Sequence, residues 1–290
     1  MINETQKAYI NRLGQEYRVL ARGREGLLRL IEQRELPEMV YNSNAIENST
    51  LTLEETEKIL LEQKAPREMS AREFFEARNL GRVQEYLARQ PDLPLNKKNI
   101  LFLHHLLLND IAEDIHGRFR HGSEWVRVGR HIAPDPQLVP DLVTKLLDEY
   151  QADDLYFLDS IARFHAEFES LHPFCDGNGR IGRVLINLQL SQRRLPPIII
   201  QNKNKQKNYY ALFTEYQNNK NNYTGFTELF ARLLTESLHK RLAYLRSQKI
   251  IKLTEYARQT GQNSSALLNK ARRQTLPAFR ERGVWLIGAE

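Results

Sequence analysis

Within twelve residues, His172-Pro-Phe-Cys-Asp-Gly-Asn-Gly-Arg-Ile-Gly-Arg183, this chain gathers a base, a hard carboxylate, a glycine turn and two guanidinium groups. His172 is the side chain among them whose ordinary pKa suits proton abstraction near neutral pH. Asp176 is the kind of oxygen ligand that Mg²⁺ takes alongside substrate phosphates. Gly177-Asn178-Gly179 lets the backbone turn sharply and come close to a ligand. Arg180 and Arg183, three apart, offer forked donors matched to phosphate oxygens. Together these types point to phosphoryl or nucleotidyl transfer.

The flanking pattern shows what must hold them. Phe157, Ile161, Phe164, Phe168 and Leu171 follow the three-and-four spacing of a buried helical face, which Pro173 should end just past His172. Ile181, Val184, Leu185 and Leu188 restore that spacing after the turn. A helix should therefore open at the glycines with its free N–H groups available to an anion.

The twelve residues resemble, over their full length, the signature of the Fic family, His-Pro-Phe-x-(Asp/Glu)-Gly-Asn-Gly-Arg-x-x-Arg. That resemblance implies a mainly α-helical bundle with a short β-hairpin flap. It also implies transfer of AMP from ATP to a Ser, Thr or Tyr hydroxyl of a target protein, with release of pyrophosphate. His172 would then take the hydroxyl proton and Asp176 would hold Mg²⁺. Gly177, Asn178 and Gly179 would cradle the α- and β-phosphates with Arg180, and Arg183 would grip the γ-phosphate. A family relative that works as a kinase has Lys where this chain has Gly179, which favours nucleotidyl transfer here. No Gly-x-x-x-x-Gly-Lys-(Ser/Thr) occurs, which argues against a P-loop enzyme.

Ser43-Asn-Ala-Ile-Glu47-Asn48 is similar to the family's inhibitory motif, placed ahead of the catalytic stretch as in class II members. The resemblance implies that Glu47 pairs with Arg183, takes the seat of the γ-phosphate and repels its charge, an autoinhibition in which Ser43 and Asn48 take part. In some relatives the same glutamate supports hydrolytic removal of AMP, so a de-AMPylase is one alternative. A nucleotide-sensing DNA-binding regulator is the other. Alternation over Trp125–Ile132, bounded by turn residues, suggests a hairpin. Family likeness makes it the flap, with Val126, Arg127, Val128 and Gly129 as the edge that aligns a target segment. Likeness also sets the adenine against Tyr210, with Gln217 near the position where relatives have Asn.

Further helices are expected over 6–35, ended by a break at Pro37, after Thr52 and Ser70 as N-caps, over Asn99–Leu108, and over 224–245. The adjacent pair His104-His105 lacks a partner at metal-ligand spacing and is read as structural, like His165. The single cysteine, Cys175, is read as packing and excludes an internal disulfide. Residues 1–95 read as an N-terminal helical region carrying the inhibitory motif, 96–240 as the catalytic core and 241–290 as a separate module. From residue 241 onward ten Lys and Arg face three Asp and Glu, so the +6 net charge belongs to the tail. There, a helix ending at Gly261, a second helix capped by Ser264 or Ser265 and a strand at Val284–Ile287 resemble a helix-turn-helix or winged-helix module. Arg272, Arg273, Arg280 and Arg282 are candidates to meet DNA phosphates or an acidic protein face. With no long apolar run and no signal-like start, no membrane partner and a cytoplasmic location are expected, and a homo-oligomer is left open.

Overall fold

The computed structural model describes residues 2–129, 131–219 and 222–289. Helix α1, Glu4–Ala21, opens with a capping box in which Asn3 and Gln6 exchange side-chain and backbone hydrogen bonds. Helix α2 covers Glu25–Ile46. The break therefore falls before Glu25, at Gly23 with φ +74°, and the helix continues through Pro37, where the sequence pattern suggests a stop. Proline removes one backbone bond and crowds the preceding turn. Here the turns beyond it are anchored, with Val40 and Ile46 fully buried.

Helices α3, Leu53–Glu62, α4, Ala71–Arg89, and α5, Lys97–Leu108, are capped by Thr52, Ser70 and Asn96, whose side chains accept from the N3 backbone N–H. Strands β1, Arg127–Val128, and β2, His131–Ile132, pair antiparallel with Arg127 opposite Ile132. Helices α6, Val139–Ala152, α7, Phe157–Leu171, and α8, Asn178–Gln192, follow. One π-helical turn, Gln206–Tyr210, runs into α9, Ala211–Asn218, and α10 covers Thr224–Leu245. The chain ends with β3, Lys249–Lys252, α11, Leu253–Thr260, α12, Ser264–Arg272, β4, Ala278–Glu281, and β5, Val284–Ala289. The fold is mostly helical with small antiparallel sheets, as the sequence pattern indicates. Among the described residues no helix is long and apolar enough to cross a membrane.

Residues 36–193 with 199–227 form one compact unit. Its centre is α8, where apart from Gly179 every residue from Asn178 to Leu190 is buried, so the helix is covered all round. Phe164 and Phe168 from α7, Leu103 and Leu107 from α5, and Val40 from α2 share a core with Ile181, Val184 and Leu185. Residues 2–35, 194–198 and 228–289 form a second unit. In it Glu35 is buried between Arg241, at 2.5 Å, and Lys240, at 3.0 Å. Burial alone would raise its pKa, but the two cations more than offset that and hold it below the ordinary range. Ile251, Leu253, Ala257, Leu267, Ala271, Ala278 and Ile287 make a separate small core under a sheet ordered β3-β5-β4. Asn263 caps α12, accepting from Ala266 N at 3.0 Å, so Ser264 becomes the first helical residue instead of the cap.

Because Leu185 is fully buried at the centre of the first unit, Leu185→Ala should cost about 2–5 kcal/mol through lost packing and a residual cavity. The measurement is the shift in urea midpoint for that unit. A loss below about 1 kcal/mol would contradict this placement of α8.

Candidate active site

Helix α7 terminates on His172 itself, which takes the left-handed conformation at φ +50° and sends its N–H to Phe168 O at 2.9 Å. The sequence pattern assigns that stop to Pro173, which follows the turn instead. His172 Nδ1 lies 3.1 Å from Glu169 O. A carbonyl only accepts, so Nδ1 carries the proton and Nε2 keeps the lone pair. Burial lowers the imidazole pKa, which keeps it neutral and able to act as a base at pH 7. The corner is pinned by Arg120, fully buried, which donates to His172 O at 2.8 Å, Leu171 O at 3.2 Å and Pro134 O at 2.6 Å.

The loop after it closes on Asn178, whose amide accepts from Phe174 N at 2.9 Å and donates to Phe174 O at 2.8 Å. The Asn178 side chain is therefore spent inside the loop. Gly177, at φ +79°, sits where a Cβ would come within 3.1 Å of Leu107. His104 stacks on Phe174 at 3.7 Å, accepts from Gly117 N at 3.0 Å and donates to Asp176 O at 3.0 Å. Both its ring nitrogens are thereby engaged, and burial pushes its pKa down to about 4.

Four charges surround the start of α8. Arg180, nearly buried, reaches Asp176 Oδ1 and Glu76 Oε1, each at 3.1 Å. Arg72 pairs with the other oxygen of Asp176 and with Glu76 at 3.1 Å. Burial would raise the Asp176 pKa, but Arg180 and Arg72 outweigh it and hold the carboxyl below its usual range. Among the described residues no three His, Cys, Asp or Glu side chains gather into a metal cage. One ionised carboxylate in a cleft fits Mg²⁺, provided phosphates and water complete its shell. Cys175 is partly exposed beside them, and burial with a hydrogen bond to Glu124 pushes its thiol up to about 11.

The arginine at position 183 is met by the end of α2. Its Nε donates to Ser43 Oγ and its Nη2 to Ser43 O, both at 2.9 Å, and Nη2 lies 2.8 Å from Glu47 Oε1. Burial would weaken the charge of Arg183, but Glu47 more than compensates, and its pKa is raised. A Cβ at position 179 would meet Glu47 Oε1 and come within 3.1 Å of Arg183, so a side chain there would oblige the Glu47 carboxylate to shift. Asn48, at φ +69°, ends the helix. Glu47, Asn48, His172, Asp176, Gly179 and Arg180 line a cleft of about 510 Å³ together with Arg72 and Cys175.

Beyond this, Tyr210 donates to Ile46 O at 2.7 Å, and burial pushes its phenol up to about 12. Tyr209 is buried with its hydroxyl 2.8 Å from His165 Nε2. Gln217 falls in the last turn of α9. In the hairpin, Val126 O accepts from Ala133 N at 3.1 Å, Arg127 Nε donates to Gly129 O at 3.0 Å, and the backbone of Val128 pairs with that of His131. Arg72 and Glu76 on α4, Arg120 in the loop before β1 and Lys205 just ahead of the π-helical turn carry no local signature, while His104 on α5 has the structural role read from sequence. Only the cap at Ser70 marks the helix that brings Arg72 and Glu76.

Residues 94–190 match the family model described as Fic/DOC family. The chain is 31% identical over 194 residues to "Protein adenylyltransferase Fic" of Drosophila melanogaster, a match covering 64% of this chain and 39% of that protein. It is likewise 31% identical over 178 residues to the protein of the same name from Drosophila mojavensis, covering 60% and 35%. The chain thus spans well under half the length of these curated relatives. Its fold is similar to that of a Fic domain containing signaling protein from Bacteroides thetaiotaomicron, with TM-score 0.72, 23% identity, and coverage of 83% and 98%. A Fic family protein from Desulfovibrio desulfuricans gives TM-score 0.66, 21% identity, and coverage of 100% and 97%.

Glu169, buried between α7 and α8, gives this site a pH signature. Burial, only partly countered by Arg183, pushes its carboxyl from 4.5 up to about 8, and its Oε1 accepts no hydrogen bond among the described residues. A folded-state pKa above the unfolded value means that the folded chain binds the extra proton. The contribution of Glu169 to stability should be full below about pH 4.5 and be lost as the pH rises to about 8. Glu169→Gln should remove that part of the slope in urea titrations at several pH values, and an unchanged slope would show that Glu169 is ionised in the fold.

Proposed function

We propose, from the premise that this chain carries a domain of the Fic/DOC family, that it is a protein adenylyltransferase held in check by its own Glu47. The observation that carries this reading is the contact of Glu47 and Ser43 with Arg183, within the same site as His172 and the start of α8. The reaction joins a target hydroxyl oxygen to the α-phosphorus of ATP. The bond from that phosphorus to the bridging oxygen breaks, pyrophosphate leaves, and the hydroxyl proton passes to His172 Nε2.

This chain's residues account for the parts of such a transfer. The carbonyl bond at Nδ1 orients the imidazole, and burial keeps it neutral beforehand. The N–H groups of Gly179 and Arg180 at the start of α8, with the Arg180 guanidinium, meet the phosphate charge. Arg183, once parted from Glu47, grips the terminal phosphate and aligns the α-phosphorus. Asp176 would hold Mg²⁺, which when bound neutralises phosphate charge. We place the adenine against Tyr210 and the target backbone along Val126–Gly129, added as a strand beside β1.

For the C-terminal residues we propose a helix-turn-helix of α11 and α12 with β4 and β5 as the wing, binding duplex DNA. Ala257 and Leu267 are buried where the two helices cross, while Asn269, Lys270, Arg272 and Arg273 are exposed on or just beyond α12. Arg280 is instead committed to Glu236 at 2.8 Å and leaves the set read from sequence.

Two experiments test these readings. With ATP labelled at the α-phosphate and Mg²⁺, the native chain should label itself weakly and Glu47→Gly at least tenfold more, while adding His172→Ala should abolish the signal. Absence of label in Glu47→Gly with ATP bound would contradict adenylyl transfer. A band shift with duplex DNA should weaken steeply with salt, survive His172→Ala, and be lost in a Lys270→Ala, Arg272→Ala, Arg273→Ala triple variant. No shift at low salt would refute the DNA reading.

A further inference from the structure

The end of α2 places Glu47, and that end is held from outside the inhibitory motif. Its last carbonyls have no partner within the helix. Lys205 Nζ donates to Ala45 O at 2.7 Å, Ile46 O at 2.8 Å and Asn48 Oδ1 at 2.8 Å. Tyr210 donates to Ile46 O at 2.7 Å, so three acceptors flanking Glu47 are tied to residues 205–210. One turn earlier, Asn42 Oδ1 accepts from Asn202 N at 2.9 Å. The π-helical turn Gln206–Tyr210 lets two consecutive tyrosines both work inward, Tyr209 on His165 and Tyr210 on Ile46.

These bonds act against a standing cost. Asn44, between Ser43 and Glu47, is buried, and neither atom of its amide has a hydrogen-bond partner among the described residues. An unsatisfied buried amide penalises the docked helix end and favours its release. Within the Ser43–Asn48 stretch, the burial of Ile46 and the contacts with Arg183 work against that penalty.

We infer that Lys205 is the positioning residue that latches the inhibitory helix end, so that removing its ammonium group releases Glu47 from Arg183 without altering any group that touches the nucleotide. The inference rests on the reading of Glu47 as the brake. The latch works by geometry: the chain turns at Asn48, φ +69°, directly after Glu47, and Lys205 ties the carbonyls before that turn to the side chain that makes it. Loss of the ammonium leaves Ala45 O and Asn48 Oδ1 without this donor, and the last turn frays.

The test uses the full chain with Lys205→Ala and Lys205→Arg, each with native Glu47 and with Glu47→Gly. The first readout is amide exchange in the nucleotide-free chain at Asn48 and Ser49, whose N–H groups close the last turn onto Ala45 O and Asn44 O. The second is self-labelling from α-labelled ATP with Mg²⁺. Lys205→Ala should speed exchange at these two amides at least about tenfold, roughly 1.4 kcal/mol of lost protection. It should raise labelling several-fold with native Glu47 and add nothing in Glu47→Gly, and Lys205→Arg, which retains donors, should fall between. Unchanged exchange would overturn the latch, as would a rise of equal size in Glu47→Gly, because Lys205 would then act elsewhere than through Glu47. If Glu47→Gly itself fails to label, the adenylyl reading falls, and the exchange result still decides the latch. Should Lys205→Ala fail to fold, Lys205→Arg against the native chain carries the comparison.

Discussion

A guanidinium that is almost wholly buried has to be neutralised, and the account of this molecule starts from how Arg183 meets that demand. Its exposure is 7%, so an unpaired charge there would cost several kcal/mol. Two kinds of acceptor offset the cost, the hydroxyl and carbonyl of Ser43 and the carboxylate of Glu47. The backbone around the pair is shaped to suit: Gly179 leaves room for the carboxylate, and Asn48 turns the chain at the end of α2. A triphosphate that places its terminal oxygens on Arg183 supplies the same neutralisation. On the proposed reading, an internal carboxylate and an external phosphate would compete for that one cation.

Around this pair, the site divides into a base held by buried contacts and the end of α2 laid against it as a cover. His172 is held by Arg120, by the helix stop and by the Glu169 carbonyl. The loop is held by Asn178 and by His104 stacked on Phe174. These contacts are buried and made largely of backbone hydrogen bonds, which do not depend on what occupies the cleft. The cover differs in kind. It consists of a half-exposed carboxylate, a helix end with an unsatisfied Asn44 amide, and a lysine that reaches across to hold it.

Much of this arrangement could be read from local chemistry. The spacing of Phe164, Phe168 and Leu171 reports a face that packs into the core, and Thr52 and Ser70 cap because their oxygens answer N–H groups three residues on. Pro37 misleads for the converse reason. Its local cost is real, but the buried turns beyond it decide the outcome, and burial is not visible in a dipeptide. Asn263 displaces Ser264 as a cap through a one-residue shift that composition does not resolve. Arg72, Glu76, Arg120 and Lys205 escape local reading altogether, since each acts on atoms far away in the chain and belongs to no compact motif.

The central claim is that Glu47 withholds Arg183 from the terminal phosphate of a bound nucleotide. Calorimetric titration with ATP and with AMP, on the native chain and on Glu47→Gly, tests it most directly, because AMP lacks the phosphate in dispute. The account predicts that Glu47→Gly tightens ATP at least about tenfold, roughly 1.4 kcal/mol, and leaves AMP nearly unchanged. An equal gain for both nucleotides, or none for ATP, would contradict it.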